Sequence, residues 1–186
     1  MVISKQDGSE VRWVPATYCA SPNFDERPDD TVVDLLVIHC ISLPPGEYGG
    51  DHIRQLFTNE LDCRCRPEYE SLKGLKVSAH CLIDRLGGVT QFVDFDKRAW
   101  HAGRSHWQGR EACNDFSIGI ELEGCETSSF TDAQYCSLIA LTADIRCQFP
   151  AITPERVVGH SDIAPARKTD PGQHFDWQRY REAMVS

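Results

Sequence analysis

Val32–Leu43 reads VVDLLVIHCISL, and its pattern decides the fold class. From Leu35 to Ile38 there is no polar residue, so the run lacks the alternation of a strand with one wet face. Its length and continuity predict a central strand, covered on both sides. Working outward, PPGEYGG (44–50) breaks the run, and DHIRQLFTNEL (51–61) predicts a short helix. KVSAHCLIDRLGGVTQFVDF (76–95) predicts two strands around a turn at Gly87 and Gly88. FSIGIELEG (116–124) is a further apolar strand. In FTDAQYCSLIALTADIRCQF (130–149), Thr131 and Gln134 form a capping box, and Leu138, Ile139, Thr142, Ile145 and Phe149 fall on one helical stripe. TPERV (153–157) places Pro154 at a helix start, RVVGH (156–160) is a short strand, and DWQRYREAMV (176–185) is a closing helix. Strands alternating with helices imply an α/β fold, a central mixed β-sheet flanked by α-helices. No repeat or low-complexity tract divides the chain, and 186 residues suit one domain over 1–186.

The composition is 41% hydrophobic and 25% charged, within the range of ordinary globular proteins. No window approaches the ~18 apolar residues of a membrane span. The amino-terminal segment has no apolar core of the kind a secretory signal carries, so none is expected. A net charge of −9 repels nucleic acid and anionic envelopes, yet leaves room for a small anionic substrate in a locally basic pocket. No nucleic-acid or membrane partner is expected, and the chain is expected to be a monomer. Nine cysteines, an odd number scattered through apolar runs, read as reduced thiols in a cytoplasmic protein. The CxC at Cys63 and Cys65 lacks the spacing of zinc ribbons and reads as a loop with two free thiols.

His39 ends one apolar run and His160 another, and open α/β sheets place ligands at the carboxyl ends of central strands. In GHSDIAPARKTDPG (159–172), Asp170 follows His160 by ten residues, so a turn can return it, stiffened by Pro165 and Pro171. Two neutral imidazoles and one carboxylate suit zinc, and three protein ligands leave a fourth position for water. His80 in VSAHCLI and His101 in WHAG are further candidates, and spacing does not choose among the four. Lys168 lies two residues before Asp170, near any metal there, although a solvated loop lysine would read the same. Within IGIELEG, Ile118, Ile120 and Leu122 share one strand face, and Gly119, Glu121 and Glu123 the other. A carboxylate at Glu121 needs a partner, a raised pKa or solvent in a cleft; an edge strand with a wet face is the alternative. Trp100, beside His101, suits a pocket wall or the core.

In this order, LLVIH, ISLPPGEYGG, VSAHCLI, FDKRAWHAG, CNDFSIGIELEG, FTDAQY and GHSDIAPARKTDPG…FDW resemble the zinc N-acetylmuramoyl-L-alanine amidases. That family also includes phage lysozyme-type amidases and peptidoglycan recognition proteins. The likeness extends from Trp13 to Trp177, nearly the whole chain. It implies zinc ligands at His39, His160 and Asp170, an essential glutamate at Glu121 and an essential lysine at Lys168. His80 and His101 match positions near the pocket that are not ligands. Lys76, Trp100, Ala164 and Arg167 are the candidate substrate contacts. The implied reaction cleaves the amide between the lactyl group of anhydro-muramic acid and L-alanine in soluble cell-wall turnover products, in the cytoplasm. Three positions depart from the pattern: Cys40 stands where Asn commonly follows the first ligand, Lys76 where Arg can precede VSAH, and Ala112 where a related chain has Arg before CND. These changes bear on affinity and peptide preference. Two alternatives are a peptidoglycan-binding module without catalysis and an exported amidase acting on polymeric wall.

Overall fold

A computed structural model describes residues 3–6, 10–13 and 15–184. Six strands form its main sheet: β1 (Thr17–Tyr18), β2 (Leu35–Ile41), β3 (Cys81–Ile83), β4 (Val89–Gln91), β5 (Ser117–Glu123) and β6 (Val157–Gly159). Their order is β6-β2-β5-β3-β4-β1. Strands β6, β2, β5 and β3 run parallel, β3 and β4 are an antiparallel hairpin pairing Ile83 with Val89, and β1 lies parallel to β4. The expected mixed sheet is borne out. Strand β2 has a neighbour on either edge, and Leu35, Leu36, Val37 and Ile38 are all 0% exposed, as the unbroken apolar run requires.

The helices are α1 (His52–Phe57), α2 (Asp132–Gln148), the single turn α3 (His160–Ile163) and α4 (Trp177–Met184). The capping box of α2 is formed: Gln134 N donates to Thr131 Oγ1 (3.1 Å) and Thr131 N to Gln134 Oε1 (3.0 Å). Its buried stripe runs through Gln134, Tyr135, Leu138, Leu141, Thr142 and Ile145. Ile139 and Phe149 are only partly buried. The inward face is therefore rotated slightly from the predicted one and centred on Leu138 and Leu141. The predicted helix at Pro154 is one 3₁₀ turn, Pro154–Arg156, because the chain goes straight into β6 at the β-branched pair Val157 and Val158. Val185, the predicted last residue of the closing helix, lies outside the described residues. No described helix is long and apolar enough to cross a membrane.

Side-chain alternation gives the sheet two apolar faces. Leu36 and Ile38 of β2, with Ile118, Ile120 and Leu122 of β5, pack against Leu138, Leu141 and Ile145 of α2 and Tyr180 of α4. Leu35, Val37 and Val158 pack on the other side with Ala102, Cys113, Phe116 and Ile163. A one-residue slip of β5 would drive Glu121 and Glu123 into the α2 core and expel three fully buried aliphatic side chains. Each such side chain is worth about 1.5–3 kcal/mol. The register is thus set by burial, and it consigns His39 and Glu121 to the face opposite α2.

Candidate active site

In the parallel ladder Glu121 pairs with His39, and Gly159 pairs with Ile38, so the next residue, His160, comes level with His39. Three adjacent strands thus deliver a carboxylate and two imidazoles in a row at their carboxyl ends. The loop after His160 then folds back, and Ser161 N donates to Asp170 O at 3.0 Å. Three ligand-type atoms converge as a result. His39 Nδ1 lies 2.9 Å from His160 Nδ1 and 3.2 Å from Asp170 Oδ2, and His160 Nδ1 lies 3.1 Å from that oxygen. A tetrahedral centre with bonds of ~2.0 Å has edges of ~3.3 Å, so the triangle fits such an ion. The three residues are buried and form a cluster able to hold a metal.

The other two candidate histidines have both ring nitrogens engaged elsewhere. His80 Nδ1 accepts from Gly119 N (3.0 Å), and its Nε2 lies 3.0 Å from Lys97 O. His101 Nδ1 lies 2.9 Å from His39 Nε2, and its Nε2 lies 3.1 Å from Ser117 Oγ. His160 Nε2 lies 3.1 Å from Ala102 O. Burial lowers His39 to about 4, opposed by the neighbouring Asp170 carboxylate, and lowers His80 to about 3, helped by the Arg27 guanidinium. Burial also holds His101 well below the usual imidazole range. Burial by itself would raise Asp170, but the adjacent His160 and His39 outweigh it and hold the carboxyl well below the usual range. Neutral imidazoles and an ionised carboxylate are the forms a cation binds.

The cluster opens on a cleft of about 250 Å³ lined also by Glu121, Lys168, Cys40 and Trp100. Leu56 and Phe57 of α1, with Leu72 and Val77, make its apolar wall. The two strand carboxylates have different surroundings. Glu123 is satisfied, accepting from Gly49 N at 2.6 Å and Arg85 N at 3.1 Å. Glu121 Oε2 is buried with no hydrogen-bond partner. Burial, then the Asp170 charge, raise Glu121 well above the usual carboxylate range, and Lys168 partly opposes them.

Of the four candidate substrate contacts, only Trp100 lines this cleft. Lys76 borders an adjoining hollow with Leu72 and Leu75. Ala164 and Arg167 line another, of about 660 Å³, which Ala112 also borders. There Arg167 Nη2 donates to Ala102 O (2.7 Å) and Arg104 O (2.8 Å). Sequence reasoning did not single out Asn114 or Ser117. Asn114 Oδ1 accepts from His101 N (3.2 Å) and Ala102 N (2.8 Å), and Ser117 Oγ donates to Cys113 O (2.6 Å). Their one signal is the polar residues Asn114, Asp115 and Ser117 at the start of the strand in CNDFSIG, a composition that turns also favour. All nine cysteines are unbridged.

Residues 29–173 match the family model for N-acetylmuramoyl-L-alanine amidase, and the chain belongs to that family. It is 56% identical, over 164 residues, to the 1,6-anhydro-N-acetylmuramyl-L-alanine amidase AmpD of Haemophilus influenzae; the match spans 88% of this chain and 89% of the relative. A crystal structure of a selenomethionine AmpD derivative matches with a TM-score of 0.92 and 53% identity, covering 95% of this chain and 98% of that one. The Escherichia coli N-acetylmuramyl-L-alanine amidase AmiD, in complex with the substrate anhydro-N-acetylmuramic acid-L-Ala-D-γ-Glu-L-Lys, matches at 0.61 and 30% identity, covering 87% of this chain and 65% of that one. The family and fold expected from the sequence motifs are borne out.

Proposed function

We propose that this chain is a zinc amidase that hydrolyses the bond between the lactyl group of 1,6-anhydro-N-acetylmuramic acid and L-alanine in soluble muropeptides of peptidoglycan recycling. The observation that carries this reading is the His39–His160–Asp170 triangle, with edges of 2.9–3.2 Å, at the base of a cleft that also holds Glu121 and Lys168. The names of the AmpD and AmiD relatives support the substrate class. Two imidazole nitrogens and one carboxylate oxygen are a donor set suited to zinc with an open position. Bound there, zinc supplies a Lewis acid that polarises a carbonyl and makes water acidic near neutral pH.

The remaining chemistry belongs to side chains. Glu121, with an unpartnered oxygen and a raised pKa, takes a proton from the attacking water as its oxygen bonds to the amide carbon. The carbonyl electron pair moves to oxygen, and the Lys168 ammonium stabilises the charge that develops there. As the carbon–nitrogen bond breaks, its electron pair stays on nitrogen, and Glu121 returns the proton to the leaving L-alanine amine. Products are the lactyl carboxylate and a free peptide. Trp100 contacts substrate in the cleft, while Lys76, Ala164 and Arg167 border hollows that an extended peptide would reach. We place this activity in a monomeric, single-domain enzyme, residues 1–186, in the cytoplasm, where unbridged cysteines stay reduced.

Incubation of the zinc-loaded protein with anhydro-muropeptide and, separately, with intact sacculi tests the reading, with products identified by mass spectrometry. Release of the peptide from anhydro-muropeptide with sacculi left intact is expected. Cleavage of sacculi alone would move the substrate to polymeric wall, and no cleavage of either would end the catalytic reading.

A further inference from the structure

Both metal-facing imidazoles are backed by one dipeptide, His101–Ala102, and the proton positions can be worked out from a fixed point. Cys113 O can only accept, so at 2.6 Å it takes the hydroxyl proton of Ser117. Ser117 Oγ therefore presents a lone pair to His101 Nε2, 3.1 Å away, and that nitrogen carries the ring proton. A neutral imidazole has one ring proton, which leaves His101 Nδ1 bare to accept from His39 Nε2 at 2.9 Å. His39 then keeps no proton on Nδ1. On the other side, Ala102 O also can only accept, and at 3.1 Å it draws the His160 proton to Nε2; the Arg167 guanidinium is 3.5 Å from that nitrogen and donates instead to Ala102 O and Arg104 O, at 2.7 and 2.8 Å. Two bare Nδ1 atoms and a carboxylate oxygen are left facing one another at 2.9–3.2 Å with no proton between them. Their mutual repulsion is relieved by a cation at the centre.

The surroundings hold this arrangement in place. Asn114 Oδ1 grips the dipeptide by both backbone N–H groups. Gly119 leaves a slot for the His101 ring, since a Cβ there would lie 2.4 Å from His101 Cγ. Ser117 is wholly buried, so water does not compete for its hydroxyl.

We propose that His101, set by Ser117 and Asn114, is a positioning residue that fixes the tautomer and ring orientation of His39, while the Ala102 carbonyl does the same for His160, so that this one segment presets the metal site. The proposal rests on reading His39, His160 and Asp170 as metal ligands. Partners behind metal-bound histidines typically contribute ~10–100-fold in affinity.

The test measures zinc affinity by chelator competition and the visible spectrum of the cobalt(II)-loaded protein, for wild type, His101→Phe, His101→Asn and Ser117→Ala. The phenylalanine variant keeps a ring but loses the acceptor, and should bind zinc ~10–100-fold more weakly with shifted cobalt bands. Asparagine places an amide oxygen near the lost Nδ1 and should recover part of that affinity. Ser117→Ala should weaken binding in the same direction by less. A wild type that takes up neither metal overturns the ligand reading itself. A wild type that binds, with His101→Phe binding within twofold and an unchanged cobalt spectrum, overturns the relay alone. If His101→Phe does not fold, side-chain nitrogen NMR of zinc-loaded wild type decides: protons on Nε2 of His39, His101 and His160 are expected, and a proton on Nδ1 of His101 refutes the relay.

Discussion

Gly119→Ala should destabilise this protein although the same exchange usually does the opposite. Gly119 has no positive φ, and at such a position alanine ordinarily stabilises by about 0.4–1 kcal/mol by restricting the unfolded chain. Here the new methyl would sit 2.4 Å from Cγ, 2.5 Å from Nδ1 and 2.8 Å from Cδ2 of His101, where ordinary contact begins at 3.4 Å. The ring must retreat by roughly an ångström, which would stretch the 2.9 Å contact between His101 and His39 beyond hydrogen-bonding range. Overpacking costs about 1–3 kcal/mol and a stranded buried polar atom a similar amount, so the clash outweighs the entropy gain. A net loss of about 1–5 kcal/mol corresponds to a fall in Tm of roughly 2–20 °C for a chain of this size. Thermal melts of metal-free protein, followed by circular dichroism, read this directly. Gly50→Ala is the control, because the nearest atom to its methyl is His52 Nδ1 at 4.0 Å, and it should be neutral or slightly stabilising. A Gly119→Ala variant that melts at or above the wild-type temperature, with zinc affinity unchanged, would refute this account of the slot.

Asp170→Ala should leave zinc well below one equivalent after dialysis, by elemental analysis, under conditions where wild type retains it; equal retention would remove the carboxylate from the ligand set. Glu121→Gln should lower turnover ~10²–10⁴-fold while metal content stays full. The same variant should melt higher than wild type at neutral pH when metal-free. Glu121 has a folded pKa raised above its unfolded value, so stability is lost as pH rises from the unfolded pKa, the loss is complete above the folded pKa, and the amide avoids it. The advantage should shrink as pH falls toward the ordinary carboxylate range, and an advantage independent of pH would point to packing instead. Lys168→Ala should lower kcat ~10²–10³-fold with KM little changed, and Lys168→Arg should restore only part; a pure rise in KM would make Lys168 a substrate clamp. Hydrogen bonds from Ser128, then Thr127 and Tyr48, lower the Cys125 thiol to about 6. Brief alkylation at pH 7 should therefore mark Cys125 first among the nine by peptide mass spectrometry, and Ser128→Ala should slow it.

Local pattern alone was enough for the sheet's spine and for the type of chemistry. Four successive aliphatic residues at Leu35–Ile38 require cover on both faces wherever they are placed. Thr131 and Gln134 mark the start of α2 because a capping box closes within four residues. The two-residue period of a strand separates Glu121 from Ile120 and Leu122 before any partner is known. None of this decides which histidines face a metal, or which of Glu121 and Glu123 is left unsatisfied. An imidazole's availability depends on where its second nitrogen is spent, and those partners are distant in sequence: Gly119 for His80, Ser117 for His101, Ala102 for His160. Likewise Glu123 is quieted by Gly49 and Arg85, brought to it by loops, while Glu121 meets His39 only because β5 and β2 pair in one register. The division follows from the range of the forces involved: burial period and capping act over a few neighbouring residues, whereas strand pairing and hydrogen-bond satisfaction join residues tens of positions apart and exist only once the sheet has closed.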